Sequence, residues 1–283
     1  MNEALEVFLD ALKDSAIIFG FVFVFELILS FVEVPMKKAL EKGGKVAPLF
    51  GSLFGLVPQC GTSVLGADLY LARHITMGTL VALFLSCSDE ALILLIADLS
   101  PRSYYAFALV GIKLVIGFLV GFLVDVFRTK QQLDFSEEVD ACDCHHHHDI
   151  SPVHRHLFHP LFHSLELFAY VLVINIALGY LIYWIGLDTF RDFLLANRYL
   201  TPLFAPIIGV IPNCSSSILL TELFLSDGLS FGALLGGLLM NSGLGLLVLL
   251  KSKGHLKEIG IILLISFLVS VALGYIYCLI FGF

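Results

Sequence analysis

Long apolar stretches separated by short polar segments dominate this chain. A helix needs about 20 apolar residues to cross a bilayer, and runs near that length predict membrane spans. We predict six full spans, at residues 15–34, 75–97, 103–126, 161–186, 229–251 and 257–282. The pattern therefore indicates an all-α polytopic membrane protein.

Two further apolar segments, 48–72 and 202–226, are each interrupted near the middle by a polar break that contains proline. Each limb has about ten residues, roughly half of what a membrane crossing requires. Each segment is therefore either one broken helix or a re-entrant hairpin with its apex inside the membrane. The two breaks have the sequences Pro58-Gln59-Cys60-Gly61 and Pro212-Asn213-Cys214-Ser215.

The two interrupted segments belong to an internal repeat, because residues 48–97 align with residues 202–251 without a gap. Half of the identities are leucine pairs, which lipid-facing composition alone produces. Because the breaks coincide, we interpret 1–126 and 161–283 as two membrane repeats joined by a loop, 127–160. The informative identities are Pro48/Pro202, Phe50/Phe204, Gly55/Gly209, Pro58/Pro212, Cys60/Cys214, Ser63/Ser217, Gly78/Gly232 and Ser88/Ser242.

The relative orientation of the repeats depends on the interrupted segments. Hairpins give each repeat an odd number of crossings and make the repeats inverted, whereas broken helices do not. The distribution of Lys and Arg outside the spans does not distinguish the two. We prefer hairpins, because inverted repeats with apices at the bilayer midplane are a common basis for alternating access.

Polar residues inside the apolar segments concentrate at four breaks: the two just described and one within each of the spans 75–97 and 229–251. A broken helix in hydrocarbon exposes backbone groups that cost free energy unless protein, ion or water satisfies them. Such breaks persist where they line a cavity, so we predict a midplane site at the repeat interface. The predicted pathway residues are Gln59, Ser63, Ser88, Asn213, Ser217, Asn241 and Ser242.

Three cysteines lie in these breaks beside polar residues. Thiolates select soft or borderline metals, and a neighbouring carboxylate completes the set. The predicted metal ligands are Cys60, Cys87, Cys214 and Asp89. The alternative for each thiol is a small buried apolar side chain, and we accept that alternative for Cys278.

A carboxylate at membrane depth costs about 2.5 to 3.5 kcal/mol on insertion scales, so Asp89 requires a partner. Lys113, in the next span, is the candidate. The pair is either structural or part of a cation site or proton relay. Besides these two residues, the candidates for proton coupling are Asp68, Glu90 and Glu222.

The central loop is rich in imidazole and thiol ligands, which bind Zn, Ni, Co or Cu ions with little geometric demand. Because it lies outside the spans, we expect a metal reservoir or sensor there rather than the transport site. A linker without function is the alternative. The ligands are Cys142, Cys144, His145, His146, His147 and His148.

Composition agrees with lipid as the solvent: 58% of residues are hydrophobic, 14% are charged and the mean hydropathy is +0.95. No phosphate-binding loop indicates ATP as an energy source, and no histidine lies near the three cysteines to act as a catalytic base. We therefore expect no enzyme and no required cofactor beyond a transported or regulatory ion, a divalent transition metal or arsenite. The expected partners are the lipid bilayer and the metal ion, with a homodimer left open and nucleic acid excluded.

The motifs Gly-Leu-Val-Pro-Gln-Cys-Gly at 55–61 and Gly-Val-Ile-Pro-Asn-Cys-Ser at 209–215, with the His-rich loop between them, resemble those of the ten-transmembrane heavy-metal exporters. Members of that family are labelled arsenic efflux proteins or manganese transporters. The resemblance covers nearly the whole chain and implies a functional role for Cys60 and Cys214. Ten spans are reached only if each hairpin limb is counted separately.

The sequence thus predicts a secondary transporter that exports a transition-metal or metalloid ion, in a prokaryotic cytoplasmic membrane. One alternative is a carrier of an organic or inorganic anion, because half-helix N-termini and Ser, Thr and Asn side chains bind carboxylates well. The other alternative is a non-transporting metal sensor that uses the loop alone.

Overall fold

The computed structural model describes residues 44–57, 60–88, 90–97, 104–128, 196–212, 214–252 and 256–282, with a few isolated positions elsewhere. The chain divides into two compact units. One comprises Met1–Met36 and Cys142–Phe190, and the other Lys37–Ala141 and Arg191–Phe283, so each unit takes parts of both predicted repeats. In the first unit the rings of Phe19 and Phe168 meet edge to face, with centroids 5.6 Å apart.

The described part of the second unit contains ten α-helices, preceded by a 3-10 turn at Gly44–Val46, and no strand. It is consistent with the predicted helical membrane protein. The five helices of the first half are α1 (Ala47–Gly55), α2 (Cys60–Leu71), α3 (Met77–Ser86), α4 (Glu90–Ala97) and α5 (Tyr104–Phe127). Those of the second half are α6 (Thr201–Gly209), α7 (Cys214–Leu225), α8 (Phe231–Met240), α9 (Gly245–Lys251) and α10 (Leu256–Phe281).

Local sequence explains where several helices begin. Both α1 and α6 carry proline in the first turn. The N–H groups of a first turn have no acceptor within the helix, so proline, which lacks an N–H, costs no hydrogen bond there. Both α3 and α8 follow a hydroxyl N-cap: Thr76 accepts from the Thr79 N–H, and Ser230 accepts from the Ala233 N–H. Equivalent positions of the two halves therefore start the same kind of helix.

Three apolar stretches in the described part of the chain are long enough to cross a bilayer: Tyr104–Phe127, Phe231–Lys251 and Leu256–Phe281. The first and third are α5 and α10, which expose large apolar side chains along much of their length, as expected for helices facing lipid. The second comprises α8, α9 and the break between them. Every residue of α3 and α8 is buried, which places these two helices at the centre of the unit.

Glycines bring α1 and α3 into close contact. A Cβ built at Gly51 would lie 2.6 Å from the Thr79 carbonyl oxygen, and one built at Gly55 would lie 2.5 Å from the Leu83 carbonyl oxygen. Both contacts advance by four residues, so the two helices run parallel. In the second half α6 lies against α8 in the same way, with Gly209 against the backbone of Gly237.

The unit has two ends, here named end A and end B. End A is where α2 and α5 end and α3 and α10 begin. The Gly78 N–H at the start of α3 donates to Asp125 Oδ1, near the end of α5, at 2.9 Å. The Tyr70 hydroxyl near the end of α2 donates to Glu258 Oε2, in the first turn of α10, at 2.7 Å.

End B is where α7 and α10 end and α5 and α8 begin. The Tyr105 ring, at the start of α5, lies 4.5 Å from the Phe231 ring, at the start of α8. Ser230 Oγ, before α8, lies 3.3 Å from Cys278 Sγ, near the end of α10. The long helices α5 and α10 therefore run between the two ends in opposite directions.

Candidate functional site at the helix breaks

The end of α1 is joined to the break between α3 and α4. The Ser88 N–H, in that break, donates to the Gly55 carbonyl at 2.9 Å. A side chain at Gly55 would overlap the α3 backbone, so glycine is what allows this approach. The first predicted apex and the break within the first span are therefore neighbours.

The break between α8 and α9 reaches the same place from the second half. The Gly245 N–H donates to Ser63 Oγ at 3.2 Å. A Cβ built at Gly243 would lie 3.0 Å from Ser63 Oγ and 3.4 Å from Cys87 Sγ, and the φ of +61° at Gly243 favours glycine. Three of the four predicted breaks thus meet around Ser63, Cys87, Ser88 and Gly243, which we call the convergence site.

The fourth break precedes α7. Ser216 Oγ donates to the Ile211 carbonyl across this break at 3.1 Å, and Thr221 Oγ1 donates to the Ser217 carbonyl at 2.8 Å. The helix α7 packs against α4 of the first half, whereas α2 packs against α9 of the second half. The inner limbs of the two interrupted segments therefore each contact the opposite half.

Most of the predicted pathway residues are buried where the structure describes them. The Asn241 side-chain oxygen accepts a hydrogen bond from the Gly243 N–H at 3.1 Å, which orders the second break. Gln59 and Asn213 lie outside the described residues. The buried members of the set are Ser63, Ser88, Ser217, Asn241 and Ser242.

Of the predicted metal ligands, Cys87 has a described side chain, which is buried and 2% exposed. Cys60 and Cys214 are the first residues of α2 and α7, but their side chains lie outside the described part, as does Asp89. Among the described residues, no three His, Cys, Asp or Glu side chains form a group that would hold a metal ion. The predicted loop ligands between 142 and 148 also lie outside the described residues.

Lys113 lies on the buried face of α5 and is 1% exposed. Its ammonium group donates to the backbone carbonyl of Cys87, just beyond the C-terminal end of α3. Carbonyls at a helix C-terminus have no intrahelical donor and carry partial negative charge, so a cation stabilises them. Ser86 Oγ donates to the Lys113 carbonyl at 3.1 Å, so α5 is tied to this break at two points.

The predicted coupling carboxylates differ in burial. Asp68 is half-buried on α2, Glu222 is exposed on α7, and the Glu90 side chain is not described. Asp125 was not among the residues predicted from the sequence. It accepts hydrogen bonds from the Gly78 N–H and the Thr76 hydroxyl. The sequence feature that could have identified it is a carboxylate near the end of an apolar span.

The convergence site therefore presents a thiol, serine hydroxyls and backbone groups at the centre of a helical bundle. The thiol, as a thiolate, suits soft or borderline metals, whereas hydroxyl and carbonyl oxygens suit harder ions. The buried ammonium of Lys113 adds a positive charge at one side of the site. The glycines Gly55, Gly243 and Gly245 were not predicted as site residues, although Gly55 is part of the repeat signature.

A profile of the family described as "Putative, 10TM heavy-metal exporter" matches residues 3–185, well over half of the chain. No curated protein and no solved structure matches the sequence. The profile match confirms the predicted family, and it denotes exporters rather than a class of enzymes. Its range includes the first cysteine-containing motif, at 55–61, and not the second, at 209–215. The protein is accordingly an integral membrane protein that belongs to this family of ten-transmembrane heavy-metal exporters.

Proposed function

We propose that the chain is a secondary transporter that exports a transition-metal or metalloid ion through the convergence site. The observation that carries the proposal is the meeting of three helix breaks from both halves around Ser63, Cys87 and Gly243. Interrupting helices at membrane depth is unfavourable unless the freed backbone groups serve a cavity or a ligand. Matching interruptions in two halves of a membrane protein are typical of transporter binding sites.

We also propose that the two halves are inverted repeats and that α1–α2 and α6–α7 are re-entrant hairpins. In support, α1 begins at the level of the start of α3, and α2 returns to end A, where Tyr70 contacts Glu258. At end B, Pro202 of α6 lies beside Gly274 of α10, and Phe224 at the end of α7 contacts Phe231. These contacts support the proposal that each interrupted segment starts and finishes at the same end.

The packing of α2 on α9 and of α7 on α4 supports alternating access. Because each inner limb contacts the opposite half, a rocking motion of one half against the other would open the site toward one end at a time. We propose that end A faces the cytoplasm of a prokaryotic cell, since Lys and Arg are enriched on that side of a membrane. The described basic residues at end A include Arg73, Arg128, Lys251 and Lys257.

Within this proposal, Cys87, Cys60, Cys214 and Asp89 are the ligands of the exported ion, and the loop histidines are a reservoir. We propose proton coupling through Asp68, Glu222, Glu90 and the Asp89–Lys113 pair, since protonation would change the charge of the site during a cycle. One observation favours the alternative of an anion carrier, namely the buried ammonium of Lys113 beside the convergence site.

Metal efflux from proteoliposomes tests the proposal. We expect Cys87→Ser to lower efflux of the exported metal by about tenfold or more, because a hydroxyl is a poor ligand for soft ions. The matched control is Cys278→Ser, which alters an equally buried thiol near end B and should leave efflux unchanged.

Cys60→Ser combined with Cys214→Ser should abolish metal export. If that double variant and Cys87→Ser both export metal as well as the parent, the proposed assignment of the metal ligands is wrong. If the protein is instead an anion carrier, these variants should keep anion flux, whereas Lys113→Met should lose it. Absence of flux for every metal and anion tested would refute transport itself.

A further inference from the structure

Two contacts between the halves stand at opposite ends of the unit. At end A, the Tyr70 hydroxyl donates to Glu258 Oε2 at 2.7 Å, and the Arg73 guanidinium lies 3.7 Å from Glu258 Oε1. Tyr70 is 2% exposed, while Arg73 and Glu258 keep 37% and 28% of their side-chain surfaces exposed. We call these three residues the polar latch. It links the end of α2 in the first half to the start of α10 in the second.

At end B the equivalent place is aromatic. Phe224 occupies the position in the second half that Tyr70 occupies in the first. Its ring meets Tyr105 of the first half edge to face at 5.4 Å, and the Phe231 ring at 5.9 Å. The Phe231 ring in turn meets Tyr277 at 4.9 Å. We call these four residues the aromatic latch.

Each latch contains a residue that lies on the same helix face as a residue of the predicted pathway. On α2, Tyr70 is seven residues beyond Ser63, which is two helical turns and about 10 Å along the same face. On α7, Phe224 is seven residues beyond Ser217 in the same way. Ser63 contacts the second half through Gly245, and Tyr70 contacts it through Glu258. The seam between the halves therefore runs from the convergence site to end A and is closed there by the polar latch.

We propose that the two latches are the gates of the transport path, the polar latch at end A and the aromatic latch at end B. This inference rests on the proposed function, because gates are needed only if the site is reached from both sides. Opening toward end A breaks the polar latch while the aromatic latch stays closed, and opening toward end B does the reverse. The partly exposed ion pair makes the end-A gate sensitive to salt, whereas salt does not screen the contacts between aromatic rings at end B.

The reactivity of Cys87 reports which gate is open, because its thiol is buried in the described structure and native to the chain. An impermeant maleimide is added to sealed right-side-out and inside-out vesicles without metal, and modification of Cys87 is followed by peptide-resolved mass spectrometry. Tyr70→Phe removes one hydroxyl and copies the residue at the equivalent place of the aromatic latch. Glu258→Gln removes the charge that pairs with Arg73 and weakens the hydrogen bond from Tyr70, because an amide oxygen is a weaker acceptor than a carboxylate. Lys257→Gln is the matched control at the neighbouring exposed charge.

We expect Tyr70→Phe and Glu258→Gln to raise the labelling rate about tenfold from the end-A side only, equivalent to about 1.4 kcal/mol in the opening equilibrium. Phe224→Ala should raise it from the end-B side only, and Lys257→Gln should match the parent. High salt should raise end-A labelling of the parent and not that of Glu258→Gln.

Unchanged labelling in both polar-latch variants overturns the gate, as does an equal rise from both sides, which would mean general loosening. If Glu258→Gln is poorly folded, Tyr70→Phe decides alone, since it keeps the ring. The assay needs no cargo, so a chain that shows one-sided labelling but no metal flux refutes the metal proposal and leaves the gates standing. A chain with metal flux but no one-sided labelling refutes only the gates.

Discussion

Lys113 carries a charge that is 1% exposed within a membrane-spanning helix, and its ammonium donates to the Cys87 carbonyl. Lys113→Met keeps the length and apolar stem of the side chain but removes this donor. A hydrogen bond from a charged group contributes about 1.5 to 3 kcal/mol, and leaving a buried acceptor without a donor costs about 1 to 3 kcal/mol. We therefore expect Lys113→Met to lower the free energy of unfolding by about 2 to 3 kcal/mol.

If Lys113 also pairs with Asp89, as predicted, we expect a larger loss in the free energy of unfolding. Removing one partner of a buried ion pair typically costs about 3 to 5 kcal/mol, because the other charge is left uncompensated. If the two side chains pair, Asp89→Asn combined with Lys113→Met should be more stable than Lys113→Met alone. If they do not pair, the two destabilisations should add.

Denaturant unfolding in detergent micelles measures the stability, and proteoliposome efflux of the same samples measures transport. Lys257→Met, at an exposed position, is the control and should stay within about 0.5 kcal/mol of the parent. A stable Lys113→Met variant would show that the contact with the Cys87 carbonyl is unimportant. Normal efflux from the double variant would remove Asp89 from the predicted site, whereas a folded double variant without efflux would support a role as ligand or proton carrier.

Two further predictions concern the topology and the loop. If the interrupted segments are hairpins, cysteines placed at the partly exposed Ala72 and at the exposed Ser226 should react with an impermeant reagent from opposite faces of the membrane, and reaction of both from one face would exclude inverted repeats. Deleting Cys142–His148 should shift the metal concentration at which efflux responds but leave the maximal rate nearly unchanged, because the proposed ligands in the helices remain; loss of efflux at saturating metal would place the transport site in the loop.

The sequence by itself determined the class of protein and the positions of the breaks. Apolar length and helix-breaking residues act locally, so they are visible without tertiary information. The helices α2 and α7 begin at Cys60 and Cys214, inside the predicted polar breaks, and α3 ends at Ser86 where the next break was predicted. The predicted family was confirmed by the profile match, whose range contains the first of the two cysteine motifs.

The sequence also indicated that Lys113 would be buried, but it did not identify all of the groups that contact the buried charges. Lys113 was expected to be deep, and it is, because a lysine in the middle of an apolar span must turn inward. Its hydrogen bond to the Cys87 carbonyl was not predicted, because every residue has a backbone carbonyl and the residue type does not show which one accepts. Asp125 was missed because its partners, Gly78 and Thr76, are recognised only once the start of α3 lies beside the end of α5.

The tertiary structure alone decided which breaks meet. Ser63 and Gly245 are 182 residues apart, and nothing local specifies their hydrogen bond. In a chain with many apolar helices, each helix has comparable apolar surfaces of several other helices to pack against. Packing resolved this through close approaches at glycines, whose missing side chains let particular backbones touch. That choice, rather than the motifs, places Cys87 beside Gly243 and Tyr70 beside Glu258.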